Sequence, residues 1–157
     1  MTSRMIHSAT AAVAALIALG LASTVLAQEC ENAPTGTRLH IVIDDIRTAK
    51  GEVSTSLYPG DPSQFLIKNG ALKVWYEPAR APSTAVCIWI PGPGTYAVAA
   101  YHDLNGNRRW DHNFLKGIEP IGFSDNPSLS FSKPSFDSVR FQVKAAETTI
   151  HIKLHHP

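Results

Sequence analysis

Apolar residues alternate with polar ones in seven short runs of this sequence, and that period of two restricts the fold more than any other feature. In the first run, residues 37–44, Leu39, Ile41 and Ile43 share one side of an extended chain. Glycine and proline separate the runs and mark turns. Seven strands joined by turns predict an all-β sandwich rather than alternating strands and helices. The other six predicted strands lie within residues 51–58, 73–78, 85–90, 95–103, 139–144 and 148–154.

Residues 1–27 have the features of a cleavable signal peptide. A short polar start precedes the apolar residues 9–21, a run shorter than the roughly 20 residues that a membrane-spanning helix needs. Val25 and Ala27 then occupy the small-residue positions before a cleavage point. Residues 28–157 would form a single β-sandwich domain, periplasmic or secreted. The alternative is an uncleaved membrane anchor.

The charge balance excludes some partners. One of the 14 basic residues, Arg4, lies in the signal peptide, so the mature chain is near neutral against 13 acidic residues. A neutral chain has no electrostatic attraction to nucleic acid or to an anionic membrane. No later apolar stretch is long enough to insert into a bilayer after cleavage. The partner stays unknown, with a cell-envelope component as the candidate.

Two cysteines, Cys30 and Cys87, remain after cleavage. In an oxidising compartment an even pair most simply forms one disulfide, which here would close a long loop. The competing interpretation is a redox-active or metal-binding thiol pair. Neither a CxxC spacing nor a nearby histidine in the sequence favours that interpretation.

The connection from residue 103 to residue 137 is much longer than the others. Loops above about 15 residues without their own structure usually carry a function or a bound ion. Before its end this connection contains four Phe or Trp residues, which predicts that it packs back on the sandwich. They are Trp110, Phe114, Phe123 and Phe131.

The long connection opens with the segment DLNGNRRWDHN, which carries oxygen-bearing side chains at alternate positions. Calcium takes six to eight oxygen ligands, and such a spacing allows a chain to wrap around the ion. Compared with an EF-hand loop, position 6 is Arg108 instead of glycine and position 12 is Phe114 instead of glutamate. The alternative is an ion-free polar turn, since Asp, Asn and Gly are also the residues of Asx turns. The candidate calcium ligands are Asp103, Asn105, Asn107 and Asp111 with the carbonyl oxygen of Arg109. Glu119, later in the chain, could add a carboxylate, but its spacing does not fix its position relative to these residues.

Catalytic patterns are weak. The sequence has no GxSxG and no glycine-rich phosphate loop. Ser124, Asp125 and His102 could be imagined as a triad, but their spacing does not indicate one. A transition-metal site would need at least three of His102, His112, His151 and His155 to converge, and no HxH or HExxH pattern points to that.

The segments YHDLNGN, GFSDNP and PSF, within residues 101–136, resemble a family of secreted bacterial proteins known as domain of unknown function 2141. The resemblance covers roughly residues 37–154. It implies a signal peptide, an immunoglobulin- or prealbumin-like sandwich and no assigned biochemical activity. This chain departs from the family pattern between Gly117 and Gly122, which leaves the position of Glu119 relative to the acidic segment open.

Three function classes follow. The first is a non-catalytic binding or accessory module with a calcium-stabilised loop. The second is a cell-envelope enzyme that uses His102, Asp103 and Asp111, which a concave apolar pocket beside them would favour. The third is a structural or assembly protein that pairs through an edge strand.

Overall fold

A computed structural model describes residues 30, 36–112, 118–129, 132–144 and 146–157. The predicted signal peptide lies outside the described residues. Among the described residues, no helix is both long and apolar enough to cross a membrane. The described residues form eight strands: β1 (Thr37–Asp44), β2 (Glu52–Tyr58), β3 (Lys73–Pro78), β4 (Ser83–Ile90), β5 (Gly94–Asp103), β6 (Ile121–Phe123), β7 (Phe141–Val143) and β8 (Glu147–Lys153). Two short 3₁₀ helices, Pro62–Gln64 and Phe136–Ser138, complete them.

The strands form two sheets. The first sheet has the order β4-β1-β8, in which β1 runs antiparallel to β4 and parallel to β8. The second has the order β3-β2-β5-β6, and β7 pairs with the start of β5. The predicted all-β sandwich is therefore confirmed, with eight strands instead of seven. The additional strand, β6, lies within the long connection, for which no strand is predicted.

The main core lies between the sheets and follows the predicted alternation. Leu39, Ile41 and Ile43 of β1 are fully buried, and Ile152 of β8 packs with them. The alternating side chains of the second sheet complete this core, because every second residue of a strand points to the same face. They include Val53, Leu57, Trp75, Val98 and Ala100.

A second cluster covers the opposite face of the second sheet. Phe65 contacts Tyr58, Phe123 and Phe136 edge-on, with ring centroids 5.2–6.3 Å apart. Phe123 belongs to β6, and Phe136 to the second 3₁₀ helix. The long connection therefore folds back on the sandwich, as its aromatic residues predict. Of the four residues named for this role, Phe123 is buried, Trp110 is partly exposed, and Phe114 and Phe131 lie outside the described residues.

The disulfide between Cys30 and Cys87 is present and spans 57 residues of sequence. It connects the start of the predicted mature chain to β4, in the first sheet. A loop of this length contributes about 4 kcal/mol to stability in the chain-entropy account.

Candidate functional site: the acidic loop

The acidic loop, residues 104–111, follows the end of β5, and the Asp103 side chain binds its backbone. The Asp103 side chain is completely buried, at 0 % exposure. Its Oδ1 accepts hydrogen bonds from the backbone N–H of Gly106 at 2.7 Å and of Asn107 at 3.1 Å. Its Oδ2 accepts one from the N–H of Arg108 at 2.5 Å, where the backbone has a left-handed φ of 59°. Three backbone donors on one carboxylate fix the path of the turn.

Glu119 closes the loop from the other side. It is 2 % exposed, and its two carboxylate oxygens accept the N–H groups of Leu104 at 2.8 Å and Asp111 at 2.9 Å. The Trp110 indole donates to the Glu119 carbonyl oxygen at 3.1 Å. Glu119 therefore joins the first and last residues of the acidic loop. The sequence indicates this carboxylate as a candidate, but its separation along the chain cannot place it.

The upper layer of the loop contains the remaining predicted ligands. Asn105 and Asn107 both donate from their side-chain amides to Oδ2 of Asp111, at 2.7 and 3.0 Å. The amide oxygens of the two asparagines accept the N–H groups of Asn107 and Arg109, in consecutive Asx turns. The side chains of Asn105, Asn107 and Asp111 therefore converge. Arg109, predicted to offer its carbonyl oxygen, is exposed and contributes its N–H to this network.

The segment that contains this loop matches a known family. The model of DUF2141, described as an uncharacterized protein conserved in bacteria, matches residues 41–151. The chain belongs to the DUF2141 family. Comparison with curated proteins and with solved structures gives no significant match. The matched range includes all of the acidic loop, together with Glu119.

The base of the loop in this DUF2141 domain is filled by protein. His102 is 1 % exposed, and its Nε2 lies 2.7 Å from the carbonyl oxygen of Lys50. Gly51 follows, with φ +75°, and a Cβ atom there would lie 2.0 Å from the carbonyl oxygen of Asp103. Only glycine allows this close approach. His102 and Asp103 are therefore buried groups whose side chains bond to the backbone.

The imagined triad is not assembled. Ser124 is fully buried, where its Oγ accepts the N–H of Val98 at 2.9 Å and donates to the carbonyl oxygen of Val139 at 2.5 Å. The hydroxyl replaces a backbone partner beside β5, at the point where β6 ends. Ser124 is a structural residue.

The two arginines of the loop differ in their surroundings. The Arg108 guanidinium lies 4.7 Å from the ring centroid of Tyr76, and its Nε is 3.3 Å from a carboxylate oxygen of Glu52. The charge of Arg108 is therefore directed at β2 and β3 and paired outside the loop. Arg109 is exposed.

Tyr101 lies beside the buried carboxylates. Burial raises the pKa of its hydroxyl, and the neighbouring Ser54 hydroxyl partly opposes that shift. The nearby Tyr76, Asp103 and Glu119 raise the pKa further, because a second negative charge near them is unfavourable. The carboxylates of Asp103 and Glu119 thus lie close together at the base of the acidic loop, near the Tyr101 hydroxyl.

The four candidate histidines are dispersed. His102 lies under the loop, and the ring of His112 is tilted against that of Trp110 with centroids 4.7 Å apart. His151 pairs with Asp44 at 2.9 Å, and the backbone of His155 pairs with Ile121. In the part of the chain that the structure describes, none of them joins a group of three metal-ligating side chains.

Proposed function

We propose that this DUF2141 protein is an exported, non-catalytic binding or accessory module of the bacterial cell envelope, periplasmic or secreted. In this proposal the acidic loop is its binding surface, and a calcium ion stabilises it. The observation that carries the proposal is the support of the loop by two buried carboxylates. The carboxylate oxygens of Asp103 and Glu119 accept hydrogen bonds from five backbone N–H groups. The side chains of Asn105, Asn107 and Asp111 converge above them.

The donor set suits a hard cation that prefers oxygen. The two asparagine amides bond to Oδ2 of Asp111, and no partner of its other oxygen lies among the described residues, which leaves that oxygen for a cation in this proposal. Each asparagine oxygen accepts one backbone hydrogen bond and keeps a second lone pair. Asp111, Asn105 and Asn107 would hold the ion, with the carbonyl oxygen of Arg109 and water completing the six to eight ligands of calcium. Asp103 and Glu119 would serve mainly to fix the loop.

Electrostatics favour the same occupant. Asp103, Asp111 and Glu119 bring three carboxylates to the loop, and Arg108 is paired with Glu52 outside it. A divalent cation would relieve the repulsion among these carboxylates. The expected affinity is that of extracellular modules, with a Kd of about 10⁻⁴–10⁻³ M.

A non-catalytic role agrees with the filled base of the loop. An enzyme built on His102, Asp103 and Asp111 would need an accessible acid or base. His102 and Asp103 are 1 % and 0 % exposed, and their polar atoms bond to the backbone. Of the three, only Asp111 is partly accessible.

A structural or assembly role through an edge strand is the second candidate, because β3 lies at the edge of the second sheet. Val74 of this strand is 38 % exposed, and Leu72 and Ile67, which precede the strand in the chain, are about half exposed. Exposed apolar residues on an edge strand favour pairing with another chain. Crosslinking and light scattering test this: a dimer that Val74→Lys dissociates supports it, and a monomer at high concentration excludes it.

Thermal unfolding with and without calcium tests the main proposal. The mature protein is melted in about 10 mM calcium and in a chelator. That calcium concentration is about a hundredfold above a Kd of ~10⁻⁴ M and adds about 2.7 kcal/mol of stability. We expect the midpoint to rise by roughly 5–10 °C.

Asp111→Ala is the informative variant, because among the described residues the Asp111 side chain bonds only to two exposed amides. Asp103→Ala would also release three backbone N–H groups and confound the result. Asp137→Ala, whose side chain is 84 % exposed in the native protein, is the matched control. We expect the control to keep the calcium response and Asp111→Ala to lose it. A wild type that melts identically in both buffers excludes calcium, and a shift retained in Asp111→Ala places the ion elsewhere.

A further inference from the structure

A second group of ligand-type side chains lies on the first sheet, far along the sequence from the acidic loop. His40 of β1 and Cys87 of β4 face each other in the antiparallel register. Cys30, bonded to Cys87, lies with them, and the ligand atoms of the three residues are all within 4.8 Å of one another. Among the described residues, this is the one set of three such groups. No sequence pattern links a histidine to the cysteines, because the proximity of His40 arises from strand pairing.

We propose that reduction of the disulfide converts Cys30, His40 and Cys87 into a binding site for a soft or borderline metal ion, Zn²⁺ or Cu⁺. Thiolate and imidazole are the donors that these ions prefer. The distance from His40 Nε2 to Cys87 Sγ is 3.6 Å. In a tetrahedral zinc site with bonds of about 2.3 Å to sulfur and about 2.05 Å to nitrogen, these two atoms are roughly 3.6 Å apart. His40 and Cys87 therefore already have the separation of two ligands on one ion.

The required chemistry is balanced by a dithiol reductant. Its two thiols lose two electrons and two protons and form their own disulfide, while the bond between Cys30 and Cys87 breaks and each sulfur gains a proton. Metal binding then displaces those two protons, because the thiolate is the ligand. The two sulfur atoms must separate to about 3.8 Å to lie on one tetrahedral ion.

Glu147 is placed to complete the set. Its Oε1 lies 2.7 Å from Nε2 of His40, and its Oε2 accepts a hydrogen bond from Arg38 at 2.6 Å. A carboxylate oxygen is an accepted fourth ligand of zinc. Glu147 and Cys87 both contact the same ring nitrogen of His40. A nucleophilic cysteine site instead has the orienting carboxylate on the opposite ring nitrogen, so the arrangement favours metal binding over catalysis.

The site is open enough to admit an ion. The His40 and Glu147 side chains are 30 % and 48 % exposed, and Cys87 lies beneath them at 4 %. One buried thiolate below two partly exposed ligands leaves an approach from solvent.

Cobalt titration of the reduced mature protein tests the proposal. Co²⁺ replaces Zn²⁺ and reports thiolate ligands and tetrahedral geometry through its absorption, and competition with zinc then gives the affinity. We expect one ion per reduced protein and none at this site in the oxidised protein. His40→Ala should weaken zinc binding by at least about tenfold, and Cys30→Ser should abolish the thiolate bands of a two-sulfur site. His155→Ala, which removes an exposed imidazole after β8, is the control and should leave the affinity unchanged.

Circular dichroism of the reduced protein is recorded first. If the strands are lost on reduction, the reduction is repeated with excess zinc: the wild type should then keep its strands and His40→Ala should not, and loss of the strands in both overturns the proposal. Failure of the folded protein to bind cobalt overturns the proposal. Equal binding by the oxidised protein, or by His40→Ala, also overturns it, because the ion would then lie elsewhere.

Discussion

Replacing Glu119 by glutamine removes the charge that joins the two ends of the acidic loop. In the native protein this 2 % exposed carboxylate accepts two backbone N–H groups, from Leu104 at 2.8 Å and Asp111 at 2.9 Å. A hydrogen bond to a charged group is worth about 1.5–3 kcal/mol. Glutamine keeps one carbonyl oxygen for one of these donors and turns an NH₂ group, itself a donor, toward the other. One bond lost and one weakened to a neutral pair should lower the unfolding free energy by about 3 kcal/mol.

Urea unfolding of wild type and Glu119→Gln measures that loss, and hydrogen exchange locates it. A change of about 3 kcal/mol corresponds to roughly a hundredfold faster exchange where it is felt. We expect the backbone amides of Leu104 and Asp111 to show this faster exchange. Asp137→Asn makes the same change from carboxylate to amide at an exposed position and should stay within about 0.5 kcal/mol of wild type. If Glu119→Gln unfolds with the wild-type free energy and its loop amides exchange at the wild-type rate, the buried carboxylate does not hold the loop.

Three further results are expected from unfolding measurements. Gly51→Ala should lower the free energy of unfolding by more than about 2 kcal/mol, because φ is +75° and the new Cβ would meet a carbonyl oxygen at 2.0 Å. Gly92→Ala, with open space around it, is the control and should stay within about 0.5 kcal/mol of wild type. Equal losses in the two variants would contradict the close approach of Gly51 to the end of β5. Ser124→Ala should lose about 2 kcal/mol, since it leaves buried backbone groups without their hydroxyl partner, and an unchanged stability would show that water replaces it. The pKa of Tyr101 is raised in the folded state, so the folded protein holds that proton more tightly and stability should fall as the pH rises above about 10. Tyr101→Phe should flatten this fall, and an identical pH dependence in the two proteins would refute the assignment.

The strands could be predicted because their signal is local. Leu39, Ile41 and Ile43 are fully buried, as their alternation requires. β6 could not be predicted because its three residues do not belong to a longer alternating run, whereas β7, of the same length, lies within the alternating residues 139–144. Its position depends on pairing with β5 and on the packing of Phe123 against Phe65, neither of which is visible in the sequence around it.

The candidate site divides in the same way. Asp103, Asn105, Asn107 and Asp111 are close in sequence, so a single turn brings them together and the spacing could predict their convergence. The position of Glu119 depends on how the chain returns to β5. The pairing of His40 with Cys87, 47 residues apart, depends on the register of β1 against β4, which no local pattern specifies.

The construction of the acidic loop bears on what it is for. A strand can reverse with a two-residue Asn-Gly turn, and the Asn105-Gly106 pair could provide one. This chain instead buries two carboxylates, and burying charged groups is unfavourable unless hydrogen bonds offset it. Those bonds go to the backbone of residues 104–111, so what they stabilise is one shape of the loop and not the contact between the sheets. A loop fixed in one shape loses less entropy when it binds an ion or a partner, and this is why a binding role explains the buried carboxylates better than a simple connection does.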